Sequence, residues 1–238
     1  MDMSAHTEQR YKMLDALSRS LSPRQYRGKI FIWQQTIVWT KRAKRLFDYL
    51  VTGIALLLCL PIFITTALLI YLENPGPIFY SQIRVGKDGR HFRFFKFRSM
   101  VVGADTMKVD LGAKNESKDG IIFKMKNDPR VTKTGKVIRK FSIDELPQLF
   151  NVLRGDMSLV GPRPALPGEV AMYTLEQRKR LHALPGITCI WQVSGRSDIP
   201  FTGQVHLDLE YIKSTSLRKD INILLRTIPA VLAGKGAY

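Results

Sequence analysis

The sequence predicts an α/β protein, mostly helical with a small β-hairpin. One re-entrant hydrophobic helix anchors it to a membrane, and a compact cytoplasmic domain follows. Three observations predict this. Tyr49–Leu72 is a run of 24 residues without a charge. Residues 78–98 are rich in β-formers around a Gly-Lys-Asp-Gly turn. The remainder carries short helix-like segments punctuated by Pro and Gly. A chain of 238 residues suits one core with a short appendage. The expected division is an N-terminal extension (1–40), a basic flank with the membrane helix (41–73) and a cytoplasmic domain (74–238).

The apolar run is the membrane element. A soluble core helix seldom runs so long without a polar face, and about 20 apolar residues cross the hydrocarbon. The run starts too far from Met1 and is too long for the apolar core of a signal peptide. Lys41-Arg42-Ala43-Lys44-Arg45 precedes it, and Arg84, Lys87, Arg90, Arg93, Lys96 and Arg98 follow. Basic residues favour the cytoplasmic side, so two basic flanks put both ends there. Pro61 sits mid-run, where proline removes a hydrogen bond and clashes with the preceding turn. A break at Pro61 would turn the helix back; a kinked spanning helix is the alternative.

The formal net charge is +17, which points to a partner rich in phosphate or carboxylate. The surplus lies in residues 1–45 (ten basic, three acidic) and 74–140 (sixteen basic, six acidic). Cys59 and Cys189 form no CxxC, and the four histidines show no HxxxH spacing. That argues against a disulfide framework and against a Cys- or His-based metal site.

After Asn74-Pro75-Gly76-Pro77, Ile78–Val85 and His91–Arg98 read as the hairpin. The HFRFFKFR segment alternates aromatic and basic residues over most of its length. Its basic side suits a phosphate substrate, a nucleic acid or solvent. Residues 101–120 read as a helix start and a polar loop, a lid or a solvated segment. A basic helix follows through Lys140. Ser142-Ile143-Asp144-Glu145 then has the form of a capping box, with Ser142 as N-cap, Glu145 as N3 and a helix running to Val152. This places two carboxylates in a first helical turn beside Arg139 and Lys140, where their charged forms are favoured. Simple capping is the commoner role for such residues. The chemical alternative is an aspartate nucleophile toward phosphorus, with a neighbouring carboxylate for a divalent metal on a diphosphate.

Gly161-Pro162-Arg163-Pro164 presents one arginine between two prolines, either a stiff turn or a fixed phosphate contact. Residues 165–182 read as a helix and Pro185-Gly186-Ile187-Thr188 as a turn. Gly195-Arg196-Ser197 reads as a surface turn, with substrate contact by Arg196 as the alternative. Leu207–Ser214 and Asp220–Leu232 read as two further helices, the last lying either on the membrane or on the core.

The segments KRLFD (44–48), FKFRSM (95–100), NDPRVT (127–132), IRKFSIDELPQLFNVLRGDMSLVGPRP (138–164) and PGIT (185–188) together resemble the bacterial sugar transferase family. These are the monotopic phosphoglycosyl transferases, and the likeness is to the short exopolysaccharide type. The resemblance covers Lys41 to the C-terminus. It implies transfer of sugar-1-phosphate from a UDP-sugar, galactose or glucose, to undecaprenyl phosphate, with release of UMP. It assigns Asp144 as covalent nucleophile and Glu145 as its partner associated with Mg²⁺. Lys96 and Arg98 of FKFRSM, Arg139 and Arg163 become substrate-phosphate cations. It further implies re-entry at Pro61 in the bacterial inner membrane, with lipid contacts there. The catalytic domain is then cytoplasmic, with downstream glycosyltransferases as partners. Leu60 stands where many relatives carry Ser, and Cys189 where many carry Gly. Two other readings remain: a membrane glycosyltransferase that releases UDP, and a membrane-tethered nucleic-acid-binding module. No nucleic-acid motif supports the latter, and no nucleic acid is expected. The oligomeric state stays open, a homodimer included.

Overall fold

The computed structural model describes residues 22–104, 106–107, 125 and 128–234. They fall in two units, divided between Phe47 and Asp48. Helix α1, Pro23–Glu73, runs through both and is long and apolar enough to cross a membrane. Near its start the Thr36 and Thr40 hydroxyls donate back to carbonyls one turn earlier, and Arg42 lies over the Trp39 ring.

Pro61 lies inside α1, and the helix continues through it. The expected chain break at Pro61 is therefore absent: the proline costs one hydrogen bond, and the flanking turns hold the helix together. From Asp48 onward, one side of α1 is covered by protein. Asp48, Thr52, Thr66 and Ile70 are buried, and Phe63 packs on Phe97 and Phe150. The other side is bare: Leu57, Leu58, Ile64 and Leu72 are each more than 60% exposed.

Strands β1 (Phe79–Val85) and β2 (His91–Phe97) form the predicted antiparallel hairpin, with Phe79 opposite Phe97 and Val85 opposite His91. Asp88 and Gly89, both at positive φ, close it. Period-two alternation sends Phe97 to a core with Ile70 and Ile138. The opposite side of the strand carries Phe94 and Lys96 and lines a cleft.

Helix α2 (Lys133–Lys140) is capped by the Thr132 hydroxyl, which accepts from the Gly135 N–H. The Glu73 carboxylate at the end of α1 accepts from the N–H groups of Lys133 and Thr134. Helix α3 (Gln148–Arg154) ends at Gly155, in the left-handed conformation. Strand β3 (Ser158–Val160) pairs in parallel with β4 (Gly186–Thr188). Pro185-Gly186 reads as a turn in sequence, yet residues 186–188 form this strand. A Cβ on Gly186 would lie 2.0 Å from the Gly161 nitrogen, so glycine is required by the close approach of two backbones.

Short helices α4 (Pro167–Ala171) and α5 (Leu175–Arg178) replace the single helix expected over 165–182. Met172 ends the first, and Thr174 caps the second. Helices α6 (Phe201–Lys213) and α7 (Leu217–Ala233) complete the fold. Phe201 and Val205 pack with Ala165 and Tyr173 in a second core. The loop expected at 101–120 lies largely outside the described residues.

Candidate functional site

The proposed capping box does not form. Ser142 has φ 54 and ψ 22, and its side chain makes no cap. It is the left-handed exit of α2, its N–H donating to the Arg139 carbonyl. Residues Ile143–Glu145 form a single 3₁₀ turn, and the α-helix starts later, at Gln148. The carboxylates therefore owe little to a helix dipole. What they have is cations. Glu145 is drawn away from capping because two charged partners are worth more than one backbone N–H.

The Lys96 ammonium lies 3.0 Å from Asp144 Oδ2 and 2.9 Å from Glu145 Oε1. Arg163 adds a contact of 3.1 Å to the same Oε1. Asp144 is 5% exposed. Burial works against a charge on Glu145, but Lys96 and Arg163 outweigh it and hold its carboxyl well below the usual range. Glu145 in turn raises the Arg163 guanidinium against its own burial. Burial lowers Arg139, and the field of Asp144 counters it. The Arg139 Nε–H donates to Ser99 Oγ at 2.9 Å.

All these groups line one cleft of about 1520 Å³. Lys96, Asp144, Glu145 and Arg163 thus converge, with Arg139 lining the same cleft. Arg98 also borders the cleft, but it is buried and donates to the Asn74 carbonyl, which fastens the exit of α1 to β2. Pro61 is not among the residues that line this cleft; it borders a small apolar groove against α2.

Several supporting residues carried no sequence signal. Asn151 is fully buried. It accepts from the Phe95 N–H and donates to the Arg93 carbonyl, fixing α3 to β2. Arg84 Nη1 donates to the Pro164 carbonyl at 3.0 Å; burial first, then nearby Arg163, lowers it to about 10. Arg180 is buried, ion-paired with Asp208 and within 3.5 Å of the Arg163 carbonyl. Both arginines are donors only, so they steady the Arg163 loop through its carbonyl oxygens. Sequence spacing could not reveal Arg84 or Arg180, because their partners lie 80 and 28 residues away. Arg196 opens a single 3₁₀ turn, is half-buried and borders the cleft.

Among the described residues no group of three or more His, Cys, Asp or Glu side chains could hold a metal. The Asp144–Glu145 pair offers two carboxylates. Their Oδ1 and Oε2 atoms accept no hydrogen bond recorded among the described residues. Two carboxylates with substrate phosphate fit what Mg²⁺ needs, since it binds few protein ligands and keeps several waters.

The model of the family described as "Bacterial sugar transferase" matches residues 39–234. Galactosyl transferase CpsE of Streptococcus agalactiae is 49% identical over 198 residues, covering 82% of this chain and 43% of that protein. Exopolysaccharide production protein ExoY of Rhizobium meliloti is 40% identical, covering 82% of this chain and 88% of ExoY. An undecaprenyl-phosphate galactose phosphotransferase of Salmonella typhimurium is 44% identical, covering 82% of this chain and 41% of the relative. The chain thus spans less than half the length of two of these relatives and most of the third.

Proposed function

Because this chain belongs to the bacterial sugar transferase family, we propose that it transfers sugar-1-phosphate from a UDP-sugar to undecaprenyl phosphate and releases UMP, as the first membrane step of exopolysaccharide synthesis. The observation that carries the reading is the buried Asp144–Glu145 pair held by Lys96 and Arg163. An ionised carboxylate among fixed cations is suited to attack phosphorus, because those cations also neutralise the phosphate oxygens. Asp144 Oδ bonds to the phosphorus that bears the sugar, and UMP leaves with the electron pair of the broken P–O bond. A lipid phosphate oxygen then attacks the same phosphorus and restores Asp144. Glu145 keeps Lys96 and Arg163 aligned throughout. Mg²⁺, held by Asp144 and Glu145 with substrate phosphate, would supply further charge neutralisation. Two relatives carry galactose in their names, so UDP-galactose is the first donor to test and UDP-glucose the second.

The membrane arrangement belongs to the same proposal. Asp48 accepts a hydrogen bond from Ser158 Oγ at 2.8 Å, and Glu73 caps α2. Those 25 intervening steps would measure about 37 Å if straight, more than a hydrocarbon core of about 30 Å. Both ends nonetheless hold polar groups of one domain. This supports a helix that enters and leaves on a single face, the cytoplasmic one given the basic flanks. The apolar stripe of α7 (Ile221, Leu225, Ile228, Leu232), exposed along its length, suits the same lipid surface.

The test is nucleotide release by purified protein in lipid with Mg²⁺ and undecaprenyl phosphate. Lipid-dependent UMP is expected, and Asp144→Asn should abolish it while the melting temperature stays near wild type. Release of UDP would establish the glycosyltransferase alternative. Full activity of Asp144→Asn would remove the covalent mechanism.

A further inference from the structure

Glu73 stands where a helix least favours it. It is the last residue of α1, at the negative end of the helix dipole, and no basic residue accompanies it in that turn. Its oxygens serve a distant helix instead. Oε1 accepts from the Lys133 N–H at 2.7 Å, and Oε2 accepts from the Thr134 N–H at 2.8 Å. Helix α2 has no acid in its own first turn. Its Thr132 cap takes the Gly135 N–H, and the Lys136 N–H reaches the Thr132 carbonyl. Glu73 thus supplies the two acceptors that the start of α2 otherwise lacks. Local conflicts of this kind concentrate at functional sites, with their compensation elsewhere in the fold.

The neighbouring residue acts on the other side of the cleft. The Asn74 carbonyl accepts from Arg98 Nη2, directly after the strand that carries Lys96. Ile70, in the last turn of α1, packs with Phe97 of β2 and Ile138 of α2. The end of α1 therefore holds both β2, with Lys96, and α2, with Arg139. The exit of α2 leads through Ser142 to Asp144, and Arg139 Nε donates to Ser99 Oγ at 2.9 Å.

We propose that Glu73 is a positioning residue for sugar-phosphate transfer: it ties α2 to the end of the membrane helix, so that Asp144 meets Lys96 and Arg139 stays in the cleft. The assignment rests on the phosphosugar-transferase reading above. Glu73 is exposed and does not line the cleft, so it acts only through α2. Without it, two N–H groups turn to water and the start of α2 loses its polar tie to α1. The 3.0 Å contact between Lys96 and Asp144 then has one anchor fewer. A misplacement of about 1 Å costs up to roughly a hundredfold in rate.

The experiment measures steady-state UMP release by the full chain in lipid, with Mg²⁺, undecaprenyl phosphate and UDP-galactose or UDP-glucose, alongside the melting temperature. Glu73→Ala removes both acceptors, whereas Glu73→Gln keeps one carbonyl oxygen. Glu73→Ala should lower kcat about tenfold and change the KM for the donor by less than about twofold, since alignment and not donor binding is lost. Glu73→Gln should recover part of the rate. The melting temperature should fall by only a few degrees, as for a lost helix cap. Wild-type kcat in Glu73→Ala, a rise in KM alone, a rate loss that follows the fraction of folded protein, or a Glu73→Gln no better than Glu73→Ala would overturn the assignment alone. A wild-type protein that releases no UMP from either donor would overturn the transferase reading and this assignment together.

Discussion

Lys96 is the residue on which the carboxylate pair depends. Its ammonium touches both acids, and among the described residues it makes the ion pair recorded for Asp144. Lys96→Met would leave Glu145 with Arg163 and remove the ion pair of Asp144. For a pair only partly buried, the expected cost near pH 7 is about 2–3 kcal/mol. The pH dependence has a definite sign. Glu145 ionises below its unfolded value near 4.5. Its stabilisation is therefore present above that pH and is lost as pH falls through the lower folded value. Lys96→Met has less of this stabilisation to lose. The gap between variant and wild type should narrow below about pH 4.5 in denaturant titrations. A gap constant with pH would mean that Lys96 acts through packing alone.

Among the elements, the exit of α2 decides where Asp144 sits. Phe141 ends the helix, Ser142 turns left-handed, and the 3₁₀ turn of residues 143–145 delivers the carboxylates toward β2. The two readings of Ser142 predict opposite effects of one substitution. If Ser142 were an N-cap, Ser142→Gly would cost a few tenths of a kcal/mol. As a left-handed exit without a side-chain bond, it should gain up to about 1 kcal/mol from glycine. Thermal unfolding measures the difference. Gly135, in the first turn of α2, matters in a comparable way. A Cβ there would stand 2.0 Å from the Ser99 carbonyl oxygen. Gly135→Ala should therefore destabilise despite alanine's higher helix propensity. It should also lower turnover, because it pushes α2 and with it Arg139 away from Ser99. An unchanged melting temperature would show that the two segments separate at no cost.

For the whole molecule, the question is how an apolar helix serves a polar cleft. α1 turns one side to the domain through Thr52, Phe63, Thr66 and Ile70, and leaves leucine and isoleucine bare on the other. That bare surface is unstable in water and stable in lipid. Single cysteines introduced as Lys41→Cys and Lys87→Cys, in a background with Cys59→Ala, test the topology. Cys189 is buried and can remain. Both positions should react with an impermeant thiol reagent from the same side of sealed vesicles. Reaction from opposite sides would mean that α1 spans.

The long apolar run, the hairpin and its turn were legible in sequence because each rests on local physics: a charge-free length, a period of two, and residues that accept positive φ. The membership of Lys96, Asp144, Glu145 and Arg163 in one site was legible only through the resemblance, since three separated segments supply them. Other features depended on contacts far apart in the chain, to which local patterns are blind. A cap at Ser142 and a turn at Gly186 are what their neighbours in sequence favour. Two cations 18 and 49 residues from Glu145, and a backbone meeting Gly186 from Gly161, outweigh those preferences. The same holds for Asn151, Arg84 and Arg180, whose polar groups find their partners only once distant segments are packed. Local order follows from the periodicity of a segment, whereas the chemistry of the cleft follows from which charges burial brings within about 3 Å of one another.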